Sequence, residues 1–76
     1  MKLADYLKDL SIEDRADLAR RCGTSPDYLW QIGAGLRKPK ATLCIDIERE
    51  SAGAVTCEHL LPEADWAYIR GQKAAV

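Results

Sequence analysis

The fold is decided by residues 15–32, which read RADLARRCGTSPDYLWQI. Apolar side chains recur at helical spacing on both sides of Gly23, and glycine readily takes the left-handed conformation that ends a helix. Ser25 offers its hydroxyl as an N-cap, and Pro26 suits the first position of a new helix. We therefore expect a helix, a glycine turn and a second short helix over residues 26–32.

The apolar residues of this stretch predict how the two helices pack. Ala19 is small enough for the helices to cross closely. Leu29 and Ile32 lie where they can lock the second helix against Leu18 and Cys22. This combination is the pattern of the DNA-reading helix-turn-helix. A helical hairpin without a functional role is the alternative, because many helical bundles contain glycine-broken turns.

The rest of the chain predicts further short helices around this motif. They cover residues 3–10, a segment from the Ser11 cap to Gly23, residues 26–32, residues 41–51 and a short stretch from the Thr56 cap through Leu61. Residues 65–70 are expected to form a final turn or helix, with Trp66 and Ile69 packed back against the domain. Residues 54–60 also alternate and contain β-branched side chains, so a strand is the alternative there. The sequence predicts an all-α fold of five short helices, with one helix-turn-helix domain over residues 1–70 and a tail over residues 71–76.

The cysteines are interpreted as reduced core residues. Cys22, Cys44 and Cys57 are odd in number, and no two of them have the C-x-x-C spacing. This disfavours a disulfide framework and a zinc site, and the single His59 does not complete a ligand set. We expect no metal and no cofactor.

The composition bounds the class of protein. A chain of 76 residues holds one small core and no deep cleft. No nucleophile and base are arranged for catalysis, so we expect no enzyme. The N-terminus carries an early acidic residue and no long apolar run, which argues against a signal peptide and a membrane span. The expected location is the cytoplasm.

The charge is distributed unevenly, although the net charge is −1. Residues 15–40 hold six basic and two acidic side chains, a net of +4, whereas the net is −2 for residues 1–14 and −3 for residues 41–76. The positive segment coincides with the helix-turn-helix pattern, which favours contact with nucleic acid. Without the motif, these charged side chains would be interpreted as ordinary solvated helix faces.

Residues 16–61 resemble a known family. The resemblance is carried by LARRCGTSPDYLWQIGAGLRKP at residues 18–39, DIERESAG at residues 46–53 and AVTCEHLLP at residues 54–62. These segments are similar to the Cro/repressor-type helix-turn-helix family, and most closely to the short prophage Cro-like regulators called YdaS-type antitoxins. Two features depart from the family pattern: Pro26 stands where relatives often place a polar reader, and Asp27 is acidic.

The resemblance implies a lambda-repressor-like fold and a function. It implies binding of double-stranded operator DNA, usually as a homodimer, by a transcriptional regulator of prophage origin that is expected to repress. The alternative is an antitoxin or adaptor whose main partner is another protein, a toxin or regulator. Its surface would be the acidic C-terminal half with Trp66 and Tyr68. No membrane partner is expected.

Helical geometry predicts which side chains of residues 26–32 reach the bases. With about 100° per residue, Asp27 and Gln31 point away from the core side of Leu29 and Ile32. Gln31 can bond an adenine edge at two atoms. Asp27 either accepts from cytosine or stabilises the helix N-terminus. Tyr28 either reaches the DNA or packs on the preceding helix.

A second group of side chains is predicted to contact the DNA backbone. Trp30 lies off the core face, which suggests either contact with a sugar or cover for the basic loop. The cations of the segment suit phosphates. The expected backbone contacts are Arg15, Ser25, Trp30, Arg37, Lys38 and Lys40.

The predicted fourth helix offers a candidate dimer interface. Its inner stripe contains Leu43, Cys44 and Ile47. Ile45 lies off this stripe and is expected to be exposed. Together with the C-terminal segment, that face could hold a second copy of the chain.

Overall fold

The protein is an arrangement of short helices, as a computed structural model of the chain shows. The structure describes the backbone of residues 1–75 and the side chains of residues 1–70. Its helices are α1 (Leu3–Lys8), α2 (Ile12–Arg21), α3 (Pro26–Gly33), α4 (Ala41–Glu50), α5 (Cys57–Leu60) and α6 (Trp66–Ala75). The described backbone contains no strand. The all-α prediction is confirmed, with six helices in place of five because residues after Asp65 form a full helix.

The helix-turn-helix forms where the sequence predicts it. The Ser11 hydroxyl accepts a hydrogen bond from the Asp14 N–H at 3.0 Å and caps α2. Gly23 has φ 71, and Thr24 then donates its N–H to the Ala19 carbonyl at 2.9 Å. Ser25 caps α3 through the Tyr28 N–H at 3.1 Å. These local contacts set the angle at which α3 leaves the turn.

The main core joins α1, α2, α3 and α4. Its buried members are Leu3, Leu7, Leu18, Ala19, Cys22, Leu29, Ile32, Ile47 and Val55. α1 lies close against the end of α3, since a Cβ at Gly33 would sit 3.2 Å from the Ala4 nitrogen. The core therefore fixes α2 and α3 on one side and leaves the outer face of α3 open.

A smaller core holds the C-terminal part of the chain. Cys44, Cys57 and Trp66 are buried together. The Trp66 indole N–H donates to the Leu61 carbonyl at 2.7 Å. Burial raises the pKa of the Cys57 thiol to about 11. Because all three cysteines are free and buried, their interpretation as core residues is confirmed.

Several predicted boundaries differ from the observed ones. Residues 57–60 are helical and not a strand, because the Thr56 hydroxyl accepts from the His59 N–H at 3.3 Å and caps α5. Ile69 was expected to pack inward with Trp66, but it is 51% exposed. The predicted tail at residues 71–76 begins inside α6, and Val76 lies outside the described residues. Among the helices described, none has the length and apolar character needed to cross a membrane.

Candidate nucleic-acid interface

The outer face of α3 carries the predicted base-reading residues. Asp27 is fully outward and exposed, and Gln31 lies one turn further along and is half-buried. Tyr28 and Trp30 flank this face and pack partly against the main core. α3 therefore presents a narrow polar ridge between two aromatic side chains. Asp27 stands in the first turn of the helix, where its charge also favours the helix dipole.

The ridge is joined to the loop that follows α3. Arg37 donates from its Nε to the Oε1 of Gln31 at 3.1 Å. The sequence assigned these two residues to different tasks, base reading and phosphate contact. The structure brings them into direct contact on the exposed surface.

Arg15 and Trp30 also form a pair. The Nε of Arg15 donates to the Leu7 carbonyl at 2.6 Å, which ties α2 to the end of α1. Its guanidinium carbon lies 5.2 Å from the centre of the Trp30 ring. A cation over an aromatic face is attracted by the ring quadrupole, so this contact connects α2 with α3. Arg15 thus supports the packing of the motif as well as adding positive charge to it.

The positive charge of residues 15–40 is partly balanced by acidic neighbours. Arg20 and Arg21 both pair with Asp17, and Arg21 also pairs with Glu50. Lys38 pairs with Glu63 at 2.6 Å, and this contact lowers the pKa of the Glu63 carboxyl.

Besides Arg15, two cations of this segment, Arg37 and Lys40, form no ion pair with any side chain in residues 1–70. They flank the end of α3 and the start of α4, next to the polar ridge. Positive charge without an acidic partner is therefore concentrated at this side of the motif.

A hollow of about 260 Å³ lies between the turn of the motif and the start of α4. Tyr28 and Lys40 line it, together with the hydroxyl-bearing Thr24 and Thr42. The sequence reasoning did not single out these threonines. Hydroxyls beside a lysine suit a phosphate oxygen, whereas the carboxylate of Asp46, which also lines the hollow, opposes one. Their position directly before the Ser25 cap and after Lys40 was the signal that could have found them.

Taken together, the fold and this surface define a small helix-turn-helix domain. No family model matches the chain. Over 53 residues, 70% of its length, the chain is 43% identical to the "Putative transcriptional regulator YdaS" of Escherichia coli strain K12. The chain covers about half of that relative's length, 54%. The resemblance to YdaS-type regulators is thereby confirmed.

Proposed function

We propose that this protein is a transcriptional regulator that binds operator DNA through the major groove. In this proposal it is a cytoplasmic, Cro-like repressor of prophage origin, and it is not an enzyme. The observation that carries the proposal is the helix-turn-helix itself, with the outer face of α3 uncovered and cations at its end. The name of the relative supports a role in transcription.

The residues of the ridge take the base-reading role in this proposal. Gln31 is central because its amide lies at the exposed surface beside Arg37, in the second half of α3. Asp27 and Tyr28 stand one turn earlier and meet the neighbouring base pairs. The Ser25 hydroxyl already caps α3. The predicted contact between Ser25 and the DNA backbone would therefore be made at the exposed start of the helix.

The cations around the ridge take the positioning role. Lys40 lies beside the hollow with Thr24 and Thr42. Lys38 and Arg37 extend from the loop, and Arg15 adds charge beside Trp30 at the packed side of the motif. Contacts of this kind fix the register on the duplex without reading its sequence.

A dimer completes the proposal. A single helix-turn-helix covers little DNA, and such proteins usually pair two half-sites roughly 34 Å apart. An open groove of about 440 Å³ runs between α4 and α6, with Ile45 and Ile69 on its two sides. Ile45 is 47% exposed, in line with its predicted position.

The charges along this groove favour a second copy of the chain as its occupant. Glu48 pairs with Arg70, and Arg49 pairs with Asp46 and Glu50. A partner would therefore meet apolar surface and balanced charge, which a copy of the same surface matches. A toxin or other regulator in this groove is the competing occupant.

Salt-dependent titration on duplex DNA tests the proposal. Selection from a random duplex library supplies the operator, and a scrambled duplex serves as the comparison. Gln31→Ala should cost about 1–3 kcal/mol on the operator and much less on scrambled DNA. Lys38→Ala should weaken both and lower the salt slope by about one, whereas Lys38→Arg should keep the slope. Absence of salt-dependent binding by the wild-type protein would refute the proposal and favour a protein partner.

A further inference from the structure

The loop after α3 is held against Gln31 by the backbone. Two residues after the end of α3, Gly35 lies in the left-handed region, at φ 79. The chain then turns back, so that Leu36 donates its N–H to the Gln31 carbonyl at 2.9 Å and Arg37 reaches the same oxygen at 3.3 Å. A hydrogen bond from an N–H back to the carbonyl five residues earlier is a common C-terminal cap of a helix. It places the Arg37 side chain beside that of Gln31 in the absence of DNA.

The side-chain contact between them has one chemical orientation. A guanidinium group carries only donors, so the carbonyl end of the Gln31 amide must face it. The contact is 3.1 Å from Arg37 Nε to Gln31 Oε1. The amide nitrogen of Gln31 takes no part in this contact, so both of its hydrogens can be donated to a ligand.

This orientation changes what the glutamine can read. A glutamine that reads adenine uses both ends of its amide, because the oxygen accepts from N6 and the nitrogen donates to N7. With one lone pair of its oxygen already bonded to Arg37, Gln31 offers two amide donors and a reduced acceptor capacity. The terminal guanidinium nitrogens of Arg37 add further donors at the same place.

We propose that Arg37 is a positioning residue that sets the base preference of Gln31, and that the pair reads guanine. Guanine presents two acceptors, O6 and N7, to the major groove, and it is the base edge that best matches a cluster of donors. The inference rests on the proposed function. It differs from the expectation for each residue alone, which was adenine for Gln31 and a phosphate for Arg37.

A charge-conserving variant separates positioning from simple attraction. Arg37→Lys keeps the positive charge near the phosphates but replaces the planar fork by a single ammonium group. Arg37→Met removes the charge and keeps much of the side-chain length. If Arg37 served only the phosphates, Lys would preserve both affinity and base preference, and Met would weaken every sequence alike.

The experiment is selection from a random duplex library, followed by sequencing, with the wild type, Gln31→Ala, Arg37→Lys and Arg37→Met. The base pair read by Gln31 is the one at which Gln31→Ala loses its preference. There the wild type should prefer guanine over adenine by about tenfold. Both Arg37 variants should lose this preference or turn it toward adenine. Only Arg37→Met should lower the salt slope, by about one.

The possible results distinguish the inference from the function beneath it. If the wild type prefers adenine at that pair, or if Arg37→Lys keeps the guanine preference, the positioning role is refuted and DNA binding stands. If the wild type enriches no sequence, the proposed function fails and the inference with it. Thermal melting of each variant by circular dichroism serves as the folding check, and unchanged melting is expected because both side chains lie at the surface.

Discussion

At the scale of single residues, the interface is shaped by which cations already have a partner. Lys38 is an exposed cation of the loop, yet it is paired with Glu63 from the segment before α6. A phosphate that binds Lys38 must therefore compete with a carboxylate that the protein itself supplies. Under the proposed function, we expect the Lys38–Glu63 pair to couple DNA binding to the C-terminal part of the domain.

Removing that carboxylate should strengthen DNA binding. Glu63→Gln leaves Lys38 without its ion-pair partner and lowers the negative charge near the phosphates. We expect about two- to fivefold tighter binding at low salt, with a smaller gain at high salt because surface pairs are screened. In a Lys38→Ala background the same substitution should have much less effect. Equal gains in both backgrounds, measured by fluorescence anisotropy, would mean that the Lys38–Glu63 pair does not regulate the contact.

Residue-scale detail is also where prediction from the sequence was least complete. The caps at Ser11, Ser25 and Thr56 were predictable because each depends on a bond to a residue three positions later. The contacts of Arg15 with Trp30 and of Lys38 with Glu63 were not predictable, because the two residues of each pair lie far apart in sequence. Such pairs depend on how the helices pack, and periodicity carries no information about them.

At the scale of helices, the end of α4 contains a residue in a strained backbone conformation, and a substitution can relieve the strain. Ala52 adopts φ 55, although it is not glycine. It occupies the left-handed position of the helix cap, since Gly53 donates its N–H to the Glu48 carbonyl at 2.8 Å. An L-residue pays a steric cost in this conformation, and glycine does not.

We expect Ala52→Gly to stabilise the fold by about 0.5–1 kcal/mol. The matched control is Gly23→Ala, which makes the opposite change at the equivalent position of α2, at φ 71. No atom lies within 4 Å of a Cβ built at Gly23, so its effect should come from the backbone alone and be destabilising. Denaturant unfolding curves of the two variants should therefore shift in opposite directions. A loss of stability in Ala52→Gly would contradict this account of the α4 cap.

A second element-scale feature is the carboxylate that joins three helices. Glu48 on α4 accepts from the Cys57 N–H at the start of α5 and from Arg70 on α6, each at 2.8 Å. These bonds lower the pKa of Glu48 below the ordinary glutamate value of 4.5, and the bond from the Cys57 backbone is the largest cause. A carboxyl whose pKa is lower in the folded state than in the unfolded state stabilises the fold at pH values above its unfolded-state pKa. This contribution is lost as the pH falls through the folded-state pKa.

The melting temperature should therefore fall on acidification below about pH 4.5, with a smaller fall in Glu48→Gln. Both bonds go to the same oxygen, Oε1, so glutamine keeps the acceptor but carries no titrating charge. The variant should melt a few degrees lower than the wild type near neutral pH and converge with it in acid. Glu48→Ala, which also leaves the Cys57 N–H without its acceptor, should be less stable than Glu48→Gln throughout. Parallel pH profiles of the wild type and Glu48→Gln would contradict the linkage.

At the scale of the whole molecule, the helix-turn-helix and the groove between α4 and α6 belong to different parts of the fold. The main core holds α3, and the smaller core around Trp66 lies beside the groove. The sequence predicted the first part well, because its periodicity and its turn are local. For Trp66 it left two possibilities open, packing inward or forming part of a protein-binding surface, and the side chain is 6% exposed and forms core. A tryptophan in a short amphipathic segment does not reveal by its spacing which neighbour will cover it.

The groove leads to a prediction for the assembled protein. Ile45→Glu puts a charge on the apolar side of the groove and should prevent a second copy from docking. Ile45→Val keeps the apolar character and should keep the dimer. On a duplex with two half-sites, Ile45→Glu should lose about 100-fold in affinity, because the second contact is no longer linked to the first. On a single half-site, where no linkage exists, both variants should bind like the wild type. Analytical ultracentrifugation with and without DNA measures the assembly directly, and a strictly monomeric wild-type protein at high concentration in both conditions would rule out this role of the groove.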